Sequence, residues 1–252
     1  MFNLSPINVQ NISHKTILIT GAGSGIGAET VKFMVDRGAK VYAGVFRNID
    51  SDATNLLDGA TILPLDVTNQ QQVDKAMATI KSESGKLDAL VNNAGVISPI
   101  GHSLNIDSDD FKLAFEVNVL GIHRMMRAAM PLLLASNGTI VNAGTGAATT
   151  PMEGWSGYCS SKAAARMMTQ VIAKELENED VKFFFLGIPP TDTNMQTAIR
   201  DSKLNPVSQI AQSDLVSTQV IASAIAWLCT DESCDLNELF LDIREAWFID
   251  KM

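Results

Sequence analysis

The chain has 252 residues, 46% of them hydrophobic and 19% charged, which suits one α/β domain with a sizeable core. A net charge of −9 excludes the basic footprint that nucleic-acid binding needs, and no apolar run is long enough to span a bilayer. Sparse cysteines (Cys159, Cys229, Cys234), scattered histidines (His14, His102, His123) and an N-terminus unlike a secretory signal predict a cytoplasmic protein without metal or disulfides.

Along the chain, short β-branched runs alternate with helical patterns, the signature of a parallel sheet covered on both faces. Strands are expected at 16–20, 40–45, 61–65, 89–92, 139–142, 182–186 and 239–243, within a single domain spanning 1–252. Residues 1–14 form an N-terminal extension. Each of the first six strands is followed by a loop and a helix-like segment. In the first crossover Ile26, Thr30, Phe33 and Met34 follow a helical period, with Gly38 as the stop. Asn69 is the expected N-cap in the third crossover, and Asp107 or Ser108 in the fourth. Residues 117–134 and 163–173 are apolar on nearly every face, including Leu120, Met125, Met167 and Val171. Such helices need cover on both sides, so a homodimer or homotetramer is expected.

The first strand runs into Gly21-Ala22-Gly23-Ser24-Gly25-Ile26-Gly27 and then a helix. Glycines at that turn let the backbone approach a pyrophosphate, whose charge sits on the helix N-terminus. With the preceding Thr20 the motif reads TGAGSGIG, and it resembles the cofactor fingerprint of the short-chain dehydrogenase/reductase family. Further matches follow in the family's order: Leu65-Asp66-Val67-Thr68, Asn92-Asn93-Ala94-Gly95, Asn118, the Tyr158/Lys162 YxxxK pair and Thr191-Asp192-Thr193. The resemblance covers about residues 15–243. It implies a Rossmann-like, doubly wound α/β fold with a seven-stranded parallel sheet, and an NAD(P)-dependent enzyme acting on a small carbonyl/alcohol pair. It further implies that Asp66 and Val67 border the adenine and that Asn93, Ala94 and Gly95 flank the adenosine. Pro189, Thr191 and Thr193 would then hold the nicotinamide carboxamide, and Asn118 a water linking Lys162 to solvent.

Reduction of a carbonyl needs a proton donor as hydride arrives, and Tyr158 is the expected one. A free phenol has a pKa near 10, about three units, or roughly 4 kcal/mol, above neutrality. An ammonium about 4 Å away supplies roughly that much at an effective dielectric near 20. Lys162, one helical turn on, is the expected source. The family places a substrate-binding serine where this chain has Thr145, which keeps the hydroxyl but adds a methyl. Two other departures are Gly187-Ile188-Pro189-Pro190 in place of a Pro-Gly turn, and Leu239–Ile243 in place of a VDGG ending. The apolar tail Ala246-Trp247-Phe248-Ile249 is expected to pack across a subunit boundary.

The cofactor could be NADP or NAD. Position 45, where an acid would bond the ribose 2′-hydroxyl, is Val45, and the following Phe46 and Arg47 tip the reading towards NADP. Ser24, where NADP-preferring relatives carry a base, weighs the other way. Residues 190–215 are expected to form a substrate lid, and Met152, Trp155 and Met195 an apolar pocket, with His102 at its mouth or simply exposed. The alternative function is a non-catalytic, dinucleotide-binding redox sensor of the same fold. The intact Tyr158/Lys162 pair argues against it.

Overall fold

In the computed structural model, residues 4–10 and 12–251 are described. Its centre is β1 (Thr16–Thr20), whose five residues are all buried. Ile17 and Ile19 enter one apolar core and Leu18 the other, because strand side chains alternate between the two sides of a sheet. Around it lie β2 (Lys40–Val45), β3 (Thr61–Pro64), β4 (Ala89–Asn92), β5 (Thr139–Thr145), β6 (Lys182–Ile188) and β7 (Phe240–Asp242). The order is β3-β2-β1-β4-β5-β6-β7, with every neighbouring pair parallel. This is the doubly wound, seven-stranded Rossmann-like sheet. Its order reverses between β1 and β4, which opens a crevice at the strands' carboxyl ends.

Helices α1 (Gly25–Val35) and α7 (Thr218–Leu228) cover one face, and α2 (Gln70–Ser84) and α4 (Ile122–Leu134) cover the other. Asn69 caps α2 as expected, accepting a bond from the Gln72 amide at 3.2 Å. That helix buries Val73, Ala76, Met77 and Ile80 at helical spacing, each larger side chain contributing roughly 1.5–3 kcal/mol. The segment before β1 is not loose: Ile7, Val9 and Ile12 are buried, and the Ile7 amide donates to Ser223 Oγ on α7 at 2.8 Å.

The helix-like segment of the second crossover is a 3₁₀ helix (Ser51–Leu57) that buries only Ala53 and Leu57. Strands β3 and β7 end short of the expected 61–65 and 239–243. Strands β5 and β6 run longer than expected, since Ala143, Gly144 and Thr145 pair in register with Leu186, Gly187 and Ile188. At the C-terminus, Phe248 on α8 (Ala246–Ile249) packs inside its own chain, 6.1 Å from the Trp227 ring, while Ile249 is exposed.

Helix α3 (Lys112–Phe115) passes through one π-helical turn (Glu116–Gly121) into α4, and α5 (Ser156–Glu175) lies beside it. Met125, Met126 and Leu133 face the sheet, whereas Leu120, Met167 and Val171 are 43–59% exposed. Beneath, a polar chain crosses the apolar core. Asn92 Nδ2 on β4 donates to Asn142 Oδ1 on β5 at 2.8 Å, and Asn142 Nδ2 donates to Thr169 Oγ1 on α5 at 2.9 Å. Among the described residues no helix is long and apolar enough to cross a membrane.

Candidate active site

The crevice at the β1/β4 switch is a cavity of about 810 Å³. One end is the turn from β1 to α1. Gly21 has φ +65°, and a Cβ there would sit 2.8 Å from Ala94 Cα. At Gly27 a Cβ would lie 2.2 Å from the Gly21 carbonyl oxygen and 2.6 Å from Asn93 Nδ2, so only glycine allows that approach. Asn93 holds the turn by donating from Nδ2 to the Thr20 and Gly21 carbonyls at 3.0 and 3.2 Å. Thr20 Oγ1 accepts from the Asn93 and Ala94 amides at 3.1 and 3.0 Å. Ser24 occupies the N-cap of α1 without making a side-chain cap bond, so the helix's first amides face the crevice. Glycines too tight for any side chain and an uncapped helix N-terminus fit a dinucleotide pyrophosphate.

The other predicted dinucleotide residues converge here. Gly23, Gly25, Ile26, Phe46, Arg47, Asp66, Val67, Gly95, Pro189, Thr191 and Thr193 all line the cavity. Asp66 is held as an Asx turn, accepting from the Thr68 amide and hydroxyl at 2.9 and 2.7 Å. Arg47 lies over the Phe46 ring at 4.5 Å, and both are exposed. Thr191 donates to the Pro189 carbonyl at 2.8 Å, which fixes the loop after β6 despite its two prolines. Helix α6 (Asn194–Ser202) and the 3₁₀ turn Pro206–Gln209 close the cavity from above with Met195, Gln196, Ile199 and Val207.

At the far end stand Thr145 on β5 and Tyr158 and Lys162 on α5. Tyr158 is buried and Trp155 meets its ring edge-on at 5.8 Å. Burial pushes the phenol up to about 12, with the Thr145 hydroxyl bonded to it working in the opposite direction. Lys162 Nζ lies 5.8 Å from the Tyr158 ring centre and donates to the Ala143 carbonyl at 2.8 Å. Burial lowers the Lys162 ammonium to about 8, so it carries its charge at neutral pH less firmly than an exposed lysine.

Asn118 is on the π-turn and completely buried. Its Oδ1 accepts from the Val96 amide at 2.9 Å, while Nδ2 donates to the Val96 carbonyl and Ser161 Oγ at 2.8 and 3.0 Å. The side chain therefore locks the loop after β4 against α5, and the helix widens by one residue to bring it there. The apolar pocket also forms, from Met152, Trp155, Met195, Ile97 and Ile199. His102 is outside it, exposed and 3.5 Å from Glu153. Sequence reasoning missed Arg244, which lines the cavity from beyond β7 and is bidentate to Asp242. Its only signal was a charged residue just past a strand end.

Comparison with known proteins gives the class. A family model described as short chain dehydrogenase matches residues 15–204. A Schizosaccharomyces pombe protein named an uncharacterized oxidoreductase is 31% identical over 91% of this chain and 96% of its own length. A Saccharomyces cerevisiae benzil reductase, (S)-benzoin forming, is 32% identical over 75% of this chain and 76% of its own. Among solved structures, a 3-ketoacyl-(acyl-carrier-protein) reductase from Brucella melitensis complexed with NADH superimposes with TM-score 0.76. It is 25% identical, covering 91% of this chain and 96% of that one. The chain belongs to the short-chain dehydrogenase/reductase family and is an oxidoreductase of the NAD(P)-binding kind.

Proposed function

We propose that this protein interconverts a ketone or aldehyde and its alcohol, with Tyr158 as general acid and base. The observation that carries this reading is the convergence of Thr145, Tyr158 and Lys162 on a cavity continuous with the glycine turn. Bound NADPH or NADH supplies the hydride. The residues that would hold it are Gly21, Gly23, Ser24, Gly25, Ile26, Asp66, Val67, Asn93 to Gly95, Pro189, Thr191 and Thr193, with Gly27 packed behind the turn. The Thr145 hydroxyl orients the carbonyl oxygen towards the phenol. A phenol near 12 is fully protonated at neutral pH, so Tyr158 enters the reductive direction loaded with its proton. The Lys162 ammonium stabilises the phenolate left behind, and Asn118 keeps the loop and α5 in register while it does so.

The test is a thermal-shift titration with NADP and NAD, followed by nicotinamide absorbance against a carbonyl and alcohol panel. Tyr158→Phe should retain cofactor binding and lose about 10²- to 10⁴-fold in kcat. Full activity in that variant would refute the mechanism. Tight binding without turnover on any carbonyl would instead fit the redox-sensing alternative.

Two finer assignments belong to the same proposal. Arg47 favours NADP, so Arg47→Ala should raise KM for NADPH about tenfold and leave NADH within about twofold. Equal effects on both would remove the preference. A second copy of the chain covers Leu120, Met167 and Val171, whose exposed apolar side chains lie on adjacent helices. Light scattering that finds only monomer would exclude it.

A further inference from the structure

The substrate half of the cavity has an apolar wall in which Ile97, Trp155 and Ile199 pack with Met152, Met195 and Val207. Gln196 interrupts it. This side chain lies one turn before Ile199 on the same face of α6, borders the cavity and is only 2% exposed. Its Nε2 donates to the Val207 carbonyl at 3.0 Å, which fixes which way the amide points, because a carbonyl can only accept. Oε1 is therefore the free end of the fork, and it accepts from no group among the described residues. Nor is that oxygen sealed in. Among the described residues the partnerless side-chain atoms closed off by packing are Asn92 Oδ1, Arg124 Nη1, Trp155 Nε1, Ser156 Oγ and Arg200 Nη2. The Trp155 indole nitrogen is thus shut inside the wall, whereas the Gln196 oxygen opens on the space a substrate fills.

We infer that Gln196 is a specificity-determining residue that accepts a hydrogen bond from a substrate hydroxyl, making this a reductase of otherwise apolar hydroxy ketones, or a dehydrogenase of the matching diols. The inference rests on the reductase reading above. Thr145 and Tyr158 take the reacting oxygen, so a second oxygen on the substrate is read from the α6 side. The donor's chemistry follows from the wall around the acceptor. An ammonium would bring three donors to one neutral acceptor, and an amide would bring a carbonyl that finds no donor among these apolar side chains. A hydroxyl asks for one acceptor and finds it. A ketone without the hydroxyl leaves the Gln196 oxygen buried and unmet, and binds less well in the transition state for that reason.

The experiment compares phenacyl alcohol, benzoin and hydroxyphenylbutanone with their methyl ethers and with the ketones that lack the hydroxyl oxygen, using NADPH and NADH. The ether keeps the oxygen without its proton, and the deoxy ketone removes the added bulk. The proteins are the natural chain, Gln196→Met and Gln196→Glu. In the natural protein at least one hydroxy ketone should exceed both of its controls by about 10- to 100-fold in kcat/KM. Gln196→Met should erase that margin by bringing the hydroxy ketone down towards its controls, and Gln196→Glu, whose carboxyl still accepts, should keep most of it. An amide that only ties α6 to the Pro206–Gln209 turn would lower all three ketones by the same factor, and that result overturns the inference. So does a raised KM for NADPH and NADH with every ketone, which would assign the oxygen to the cofactor. So does a natural protein that ranks no hydroxy ketone above both controls. Thermal melts check folding; if Gln196→Met does not fold, Gln196→Asn replaces it, keeping an amide but withdrawing its oxygen by one methylene. Tyr158-dependent turnover without a hydroxyl preference sinks the hydroxyl site and leaves the reductase standing. If no ketone is turned over, each set of three is titrated calorimetrically into the protein with NADP. Hydroxyl-selective binding lost in Gln196→Met then supports the site while the reductase reading fails, and equal or absent binding overturns the site as well.

Discussion

Replacing Lys162 with methionine should alter how stability depends on pH in a way only a buried ammonium can. The side chain is 5% exposed, and burial holds it near 8 against 10.5 when exposed. Below pH 8 the folded chain bears the whole cost of the buried charge. Between pH 8 and 10.5 the unfolded chain keeps a proton that the folded one has released, so stability rises with pH across that window. The shift corresponds to about 3 kcal/mol, or on the order of 10 °C in melting temperature for a chain of this length. Tyr158 works oppositely at higher pH: raised to about 12, it removes stability as pH climbs from 10 to 12. The assay is a series of urea and thermal unfolding curves between pH 7 and 10.5 for the natural protein and Lys162→Met. Other titrating groups are common to both and cancel in the difference. The natural protein should gain about 3 kcal/mol relative to the variant across the series. Parallel curves would mean that Lys162 titrates as an exposed lysine does, and the buried-ammonium account would fail.

Gly27→Ala should weaken dinucleotide binding at least about 100-fold while leaving the fold intact, because the new methyl displaces the Gly21 carbonyl and Asn93. Calorimetric titration with NADP reads this, and unchanged affinity would refute the tight-turn argument. Thr145→Ala should cost about 10²- to 10³-fold in kcat, and Thr145→Ser should match or exceed the natural rate. A Thr145→Ala variant at full rate would take that hydroxyl out of the chemistry.

The glycine turn, the tyrosine-lysine pair and the crossover pattern were legible in the sequence because each is local. Strand β1, β2 and β4 boundaries were readable for the same reason. The last three residues of β5 were not: Ala143 and Gly144 have little intrinsic preference for strand, and their pairing with Leu186 and Gly187 is supplied by a distant segment. That the helix-like segment at 51–57 is 3₁₀ was not legible either, since only two of its side chains reach the core. Spacing put Lys162 on the same helical face as Tyr158, but the bond from its ammonium to the Ala143 carbonyl and the burial of both groups come from the fold and were not legible. Nothing near Arg244 in sequence announces Gly146; only folding brings the two together.

The amide and hydroxyl chain from Asn92 through Asn142 to Thr169 has a bearing on precision. Apolar surfaces tolerate sliding, since one methyl contact replaces another at little cost. Polar groups in a dry interior do not, because any shift of α5 along β5 strands donors and acceptors where no water can relieve them. The Asn142–Thr169 bond therefore works as a dowel, setting the helix to one position on the strand. Tyr158 and Lys162 ride on that helix, and Thr145 on that strand. The alignment of a reaction centre at the surface crevice is thereby referenced to a mark in the part of the molecule that substrate and solvent never reach.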